Sequence, residues 1–465
     1  MLTGMESKIV KRYLLMVLAG VLLAGVLTSC GGGKYVNRLV RGTVFAMPAS
    51  EDVPEPDLLI TNWLPSRSTE TYYISYVVAE GNKHRVLWEI EMSESDHWYL
   101  PRGTYDGEHV YYIVEDRLLA LSRTDGSTTW TARLSDLVNF SCTDCIQRVG
   151  EVIVVLTSDY VLQGISTRSG TLAWSVRLSD SASSREGFSV DNGRVILLDD
   201  LDPDSHQTAI HVYDAAKGNL VRKVFPVCPE SEDTPRFLWD EVFIDLSSTR
   251  NARAIFLYDC FPDPYVQSWD LVTGQLVWDE RLPDEADTMI DSYVIGSEKL
   301  YLEMYTGLFS VDLSTGRTQL VSEEIDPDYD FLPLFEHQGQ LIGWARRTRG
   351  SSRYELWALS PSGDRLWEHT LVAESEPGTD LDPDDWVYRM VGDYLLLIQV
   401  SDEPDELLVS KLDPQTGQVV LGSGIKNDYN DLYGIAWIGE QAYVTMGLDL
   451  YQIDLEMATI SLIWP

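Results

Sequence analysis

The chain has 465 residues, 44% of them hydrophobic, and carries 73 Asp and Glu against 35 Lys and Arg, a formal net charge of −38. That length and apolar content allow a large buried core. The charge repels nucleic-acid backbones and anionic head groups, which excludes binding driven by phosphate contacts and leaves either a solvated surface or a partner or ion of positive charge.

The first thirty residues read MLTGMESKIVKRYLLMVLAGVLLAGVLTSC. Lys8, Lys11 and Arg12 precede an apolar run from Tyr13 to Leu27. That run is shorter than the roughly 20 residues of a membrane span and fits a secretory signal over residues 1–29. It ends in LTSC, small residues directly before Cys30. This resembles the bacterial lipobox, which implies cleavage before Cys30, palmitate-type acylation of its thiol and new amino group, and anchoring by the acyl chains. The expected location is outside the cytoplasm, on the cell membrane or outer membrane. A GGGK spacer follows, and residues 30–57 are read as lipidated cysteine plus flexible tether. The folded domain is expected over residues 58–465.

Next comes a hairpin, TYYISYVVAEGNKHRVLWEIEM, which carries Trp88. After it one segment type recurs: an alternating apolar strand, often an Asp, a short turn ending in Gly, and a second strand, often with Trp four residues after the Gly. The clearest copies are LLALSRTDGSTTWTARL, VLQGISTRSGTLAWSVRL, VQSWDLVTGQLVWDERL and YELWALSPSGDRLWEHTL. They place Gly126 with Trp130, Gly170 with Trp174, Gly274 with Trp278, and Gly363 with Trp367. Weaker copies carry Gly218, Gly316 and Gly417, and Ala458 takes the place in the last. Successive copies lie 41 to 56 residues apart, the period of a four-stranded propeller blade. Each residue type has a physical reason. Gly permits positive φ in a tight turn, Asp and Thr can hydrogen-bond the turn backbone, and Trp can cover the gap between neighbouring sheets.

These copies resemble the PQQ-like (quinoprotein dehydrogenase-like) repeat, A-x-D-x-x-T-G-x-x-x-W, most closely in SWDLVTGQLVW from Ser268 to Trp278. They depart from it at Arg222, Leu320 and Leu421, which replace the tryptophan. The resemblance implies an all-β, eight-bladed propeller of four-stranded antiparallel blades, with seven blades as the alternative. Eight full blades are expected between about residue 97 and the C-terminus, with the Trp88 hairpin either completing a blade or forming part of an extra one. The combination of repeat and lipid anchor is similar to the propeller lipoprotein of outer-membrane protein assembly. It implies a non-catalytic interaction scaffold with a protein partner at a loop face. The alternatives are a PQQ-dependent oxidoreductase and an extracellular binder of a cation, peptide or glycan.

If strands one to four of each blade run in order, the T-G turns mark one face. The second-to-third connections and the blade-to-blade links mark the other. The acidic stretches Asp199–His206, Leu282–Asp287, Ile325–Asp330, Thr379–Trp386 and Ser401–Glu406 then share that second face, and Arg346–Arg353 is its basic exception. Asp326, Asp328 and Asp330 alternate like the start of a calcium loop, but Phe331 stands where the loop glycine belongs. Four cysteines remain after Cys30, an even number that suggests disulfides in an exported protein. Cys142–Cys145 with Cys228–Cys260 is the expected pairing, argued from loop placement. The sequence has no adjacent-cysteine pair, no His-x-x-x-His and no nucleophile or nucleotide fingerprint. No enzyme activity and no cofactor, neither PQQ nor Ca²⁺, are expected.

Overall fold

A computed structural model describes residues 44–47, 57–65, 70–80 and 83–92, and residues 103–464 except 139–144, 180–187, 203–206, 226, 228–235, 246–251, 261–262, 284–289, 305, 323–328, 348–353, 371–385, 402–405, 427–431, 439 and 447–448. Among the described residues every element is a strand. The 36 strands form nine four-stranded sheets, each antiparallel and each with consecutive strands as neighbours. In chain order, sheet 1 spans residues 44–92, sheet 2 103–133, sheet 3 146–177, sheet 4 189–224, sheet 5 236–281, sheet 6 290–322, sheet 7 329–370, sheet 8 386–426 and sheet 9 432–464.

Sheets 2 to 9 are the eight blades expected from the repeat. The Trp88 hairpin supplies the third and fourth strands, Glu70–Glu80 and Lys83–Met92, of a complete additional sheet. Its first strand, Val44–Met47, pairs with Asp57–Pro65 and falls inside the segment read as tether. Part of that segment is therefore strand: four residues, VFAM, are too short a run to stand out beside the Pro- and acid-containing stretch that follows. The first strand of sheet 1 lies against the first two strands of sheet 9, Leu432–Ile438 and Gln441–Met446, so the ring closes through sheet 1.

The strand sequences reflect their places in the ring. Middle strands are covered on both faces by neighbouring sheets, so they are nearly continuous apolar runs. Val152–Leu156 is wholly buried, as is most of Val161–Ser166. Fourth strands lie outermost, and Leu172–Arg177 is largely exposed. Alternation decides which neighbour each side chain meets. In strand Arg253–Cys260, Ala254, Phe256 and Tyr258 pack with Ile196, Leu198, Ile210 and Val212 of sheet 4. Ile255 and Leu257 pack with Leu300, Leu302 and Phe309 of sheet 6. The core thus sits between sheets.

Strands three and four of every sheet meet with a register shift. In sheet 3, Gly164 pairs with Trp174 while Ile165 pairs with Leu172, so Ala173 is the extra residue. Such a bulge re-aims the side chain after it, here the repeat tryptophan. In sheets 6 and 9 the shift falls later in the strand, beyond Leu320 and Leu462, whereas in sheet 8, where Leu421 also replaces the tryptophan, it keeps its usual place before that residue.

Candidate functional site

The repeat residues form one device, used again from sheet to sheet. Each turn glycine has positive φ, from 67° at Gly170 and Gly417 to 85° at Gly363, and Ala458 adopts 49° in the last copy. The turn aspartate accepts backbone N–H bonds. Asp270 Oδ1 takes those of Val272 and Thr273 at 2.8 and 2.7 Å, and Asp312 Oδ1 takes those of Ser314 and Thr315 at 2.9 and 2.8 Å. The Ser314 hydroxyl, followed by further turn donors, outweighs slight desolvation and lowers the Asp312 carboxyl to about 2.

The tryptophan of one sheet lies on the turn glycine of the next and donates its indole N–H to the carbonyl three residues before that glycine. Trp88 reaches Arg123 O at 3.1 Å, Trp130 Thr167 O at 2.9 Å, Trp174 Ala215 O at 2.9 Å, Trp278 Leu313 O at 3.0 Å and Trp367 Pro414 O at 2.9 Å. A Cβ at Gly170 would stand 2.5 Å from the Trp130 ring, so this glycine is required for the approach as well as for φ. The latch changes where the tryptophan is replaced. Arg222 lies over Gly274, and the Val321 backbone and Ser322 lie against Gly363. Ser423 donates to Ala458 O at 2.6 Å.

A second device was not read from the sequence. Seven residues before the turn glycine, sheets 3, 4 and 5 carry buried Gln163, His211 and Gln267. Gln163 Oε1 accepts Ser135 N–H at 3.0 Å. Gln267 Oε1 accepts Val227 N–H at 3.2 Å and its Nε2 donates to Val227 O at 2.8 Å. His211 Nδ1 lies 2.9 Å from Asp199 Oδ2, and Asp199 Oδ1 accepts the Ser179 N–H and hydroxyl at 3.0 and 2.5 Å. All three therefore fasten the link arriving from the preceding sheet. The available signal is a lone polar residue inside an apolar strand: VLQGIS, AIHVYD, YVQSWD.

The Ser179–Asp199–His211 order is structural rather than nucleophilic. The carboxylate stands between serine and histidine, so histidine is not placed to take the serine proton. Burial works to raise the Asp199 carboxyl, but the His211 and Ser179 hydrogen bonds prevail and hold it below the ordinary range.

The connections run as expected. Asp199–His206 and Ser401–Glu406 lie at second-to-third connections, and the other three acidic stretches lie at links between sheets. Asp199, however, is buried in strand Arg194–Asp202 and not part of an exposed acidic loop. Most of the remaining acidic residues lie outside the described residues, among them Asp326 and Asp328. Asp330 is in strand Tyr329–His337, opposite Arg346, and its side chain is outside the description. No group of three or more metal-ligating side chains occurs among the described residues. Cys145 is fully buried and disulfide-bonded. Cys30, Cys142 and Cys228 lie outside the described residues, and Cys260 ends strand Arg253–Cys260 with its side chain undescribed. No helix among the described residues is long and apolar enough to cross a membrane.

Residues 75–223 match the PQQ_2 family model, described as outer membrane protein assembly factor BamB. Over that stretch the repeats are similar to those of the PQQ-like family. The match covers the Trp88, Trp130 and Trp174 latches and the Gln163 and His211 fastenings. Among solved structures, BamB from Moraxella catarrhalis is 19% identical, with 74% of this chain and 92% of that chain covered and a TM-score of 0.42. The quinohemoprotein alcohol dehydrogenase from Comamonas testosteroni is 11% identical over 78% of this chain and 73% of that chain, with a TM-score of 0.44. A eukaryotic initiation factor is 9% identical over 91% and 96%, with a TM-score of 0.54, a likeness of fold alone. No curated protein matches the chain. The molecule is an all-β propeller of four-stranded antiparallel sheets.

Proposed function

We propose that the protein is a non-catalytic, lipid-anchored propeller that acts as an interaction scaffold at the cell envelope, held through Cys30 and engaging a protein partner through the face of links and second-to-third connections. The observation that carries this reading is the match of residues 75–223 to the family described as outer membrane protein assembly factor BamB. Over that stretch the tryptophans and buried polar residues serve the ring itself. The scaffold reading therefore uses the repeat for rigidity and leaves partner choice to the connections, where sequence is free to vary. The net charge of −38 favours a partner surface rich in Lys and Arg and disfavours nucleic acid.

The test joins anchor and partner. Full-length protein and its Cys30→Ala variant are expressed in a lipoprotein-processing host with labelled palmitate. The wild type is expected to take up label and fractionate with membranes, and the variant to do neither. Cross-linking in intact envelopes followed by tagged purification should recover a reproducible protein partner from the wild type. Dye-linked dehydrogenase turnover after addition of PQQ and Ca²⁺ would overturn the reading, as would palmitate-free wild-type protein in the soluble fraction.

A further inference from the structure

Two buried hydrogen-bond donors meet at the inner strands of sheets 8 and 9 with no acceptor. Arg389 lies in the first strand of sheet 8, Trp386–Val391, and Trp437 in the first strand of sheet 9, Leu432–Ile438. The Arg389 guanidinium carbon is 5.0 Å from the centre of the Trp437 ring. Arg389 Nη1 and Trp437 Nε1 are both buried, and neither has a hydrogen-bond partner. Buried donors are rarely left unmade, and here two lie within one side-chain contact.

Other buried atoms lack partners too, Arg222 Nε and His211 Nε2 among them, but here two donors face one another across a single ring contact. The five latch indoles each have a carbonyl. Several other partly or wholly buried cations are served. Arg123 donates to Asp106 O, Arg253 to Leu313 O, and Lys411, which lies over Tyr394, to Glu456 O. Arg389 has no such acceptor in a chain where acids outnumber bases 73 to 35, and burial without a counter-charge lowers its pKa. An arginine over an indole ring can keep the edge of its fork free, and that edge matches the two oxygens of a carboxylate. One guanidinium balances a monoanion, whereas a phosphate dianion would bring an uncompensated charge into the same place.

We propose that Arg389 and Trp437 form a binding site for a single carboxylate, taken between the guanidinium edge and the indole N–H at the inner strands of sheets 8 and 9. This goes beyond the scaffold reading and stands without it, because the two donors lack an acceptor whatever the partner of the connecting loops.

Titration followed by the indole N–H resonance of Trp437, assigned with Trp437→Phe, tests the site. The probes are benzoate, a short peptide with a free C-terminal carboxylate, and the same peptide amidated. Saturable shifts are expected with benzoate, with the free-carboxylate peptide, or with both. Benzoate alone identifies a small organic acid as the source, and the peptide identifies a chain terminus. Binding should fall at least tenfold in Arg389→Leu and several-fold in Arg389→Lys, which keeps the charge and loses the fork. Arg389→Leu should be as stable as wild type or more so, since it removes an uncompensated buried charge, which keeps loss of binding distinct from loss of fold. No shift with either carboxylate probe would overturn the proposal. So would equal shifts from the amidated peptide, or unchanged affinity in Arg389→Leu.

Discussion

A tryptophan four residues after a turn glycine does two jobs in this chain: it covers the next sheet's turn and satisfies a carbonyl there. Trp278 is the test case, 8% exposed and bonded to Leu313 O. Trp278→Ala should cost about 3–5 kcal/mol, the range for truncating a buried aromatic. Trp278→Phe should cost about 1–3 kcal/mol, chiefly because the Leu313 carbonyl is left unmade. Denaturant midpoints of the two variants against wild type check the order. Gly170→Ala attacks the same latch from the other side, through φ of 67° and the 2.5 Å approach to Trp130, and should lower the midpoint by more than the roughly 1–2 kcal/mol of left-handed backbone alone. The buried carboxylate of Asp199 makes a pH prediction. Its folded pKa lies below the unfolded value, so its contribution is present above that unfolded value of about 3.9 and is lost as pH falls through the folded pKa. Between about pH 5 and pH 2 the wild type should therefore lose stability more steeply than Asp199→Asn, as read from urea unfolding at each pH.

At the scale of elements, the turns were the most legible part of the chain because their causes are local. Asp, Thr and Gly within five residues determine the hairpin, and the spacing to Trp follows from it. The links were less legible. Gln163, His211 and Gln267 act on residues 28, 32 and 40 positions earlier, at Ser135, Ser179 and Val227, and a single polar residue in an apolar strand does not name its target. Arg389 and Trp437 sit 48 residues apart and could be matched only by the ring. The Val227 fastening does bear on the cysteines. Tyr258 donates to Val227 O at 3.2 Å. Cys228 follows Val227, and Cys260 follows Tyr258 by two along one strand. Two residues along a strand return to the same face. A Cys228–Cys260 disulfide is accordingly expected, tying the link from sheet 4 to the second strand of sheet 5, with Cys145 joined to Cys142. Peptide mapping without reduction should recover these two pairs, and a Cys142–Cys228 peptide would refute the assignment.

For the whole molecule the decisive contact is the one that closes the ring. The repeats predicted sheets 2 to 9, and the hairpin before them looked like a remainder because only its Trp88 half resembles a repeat. Its partner strands Val44–Met47 and Asp57–Pro65 carry no turn signature, yet they put a complete sheet between sheets 9 and 2. Trp88 reproduces the latch there, donating to Arg123 O and packing on Gly126. An open ring would leave apolar flanks of sheets 2 and 9 in water, including the surroundings of Val110, Tyr112 and Leu121 that Trp88 now covers. Deleting residues 34–92 should thus do more than remove one sheet: the remaining chain is expected to bind a hydrophobic dye and to melt below the wild type. Trp88→Ala, which loosens one seam without opening the ring, should melt at an intermediate temperature with little dye binding. Equal melting temperatures for the deletion and the wild type would mean that sheets 2 to 9 close on themselves. The comparison belongs at fixed salt, because a net charge of −38 repels itself, and the Debye length of about 8 Å at physiological ionic strength shortens as salt is added, raising the stability of open and closed forms by different amounts.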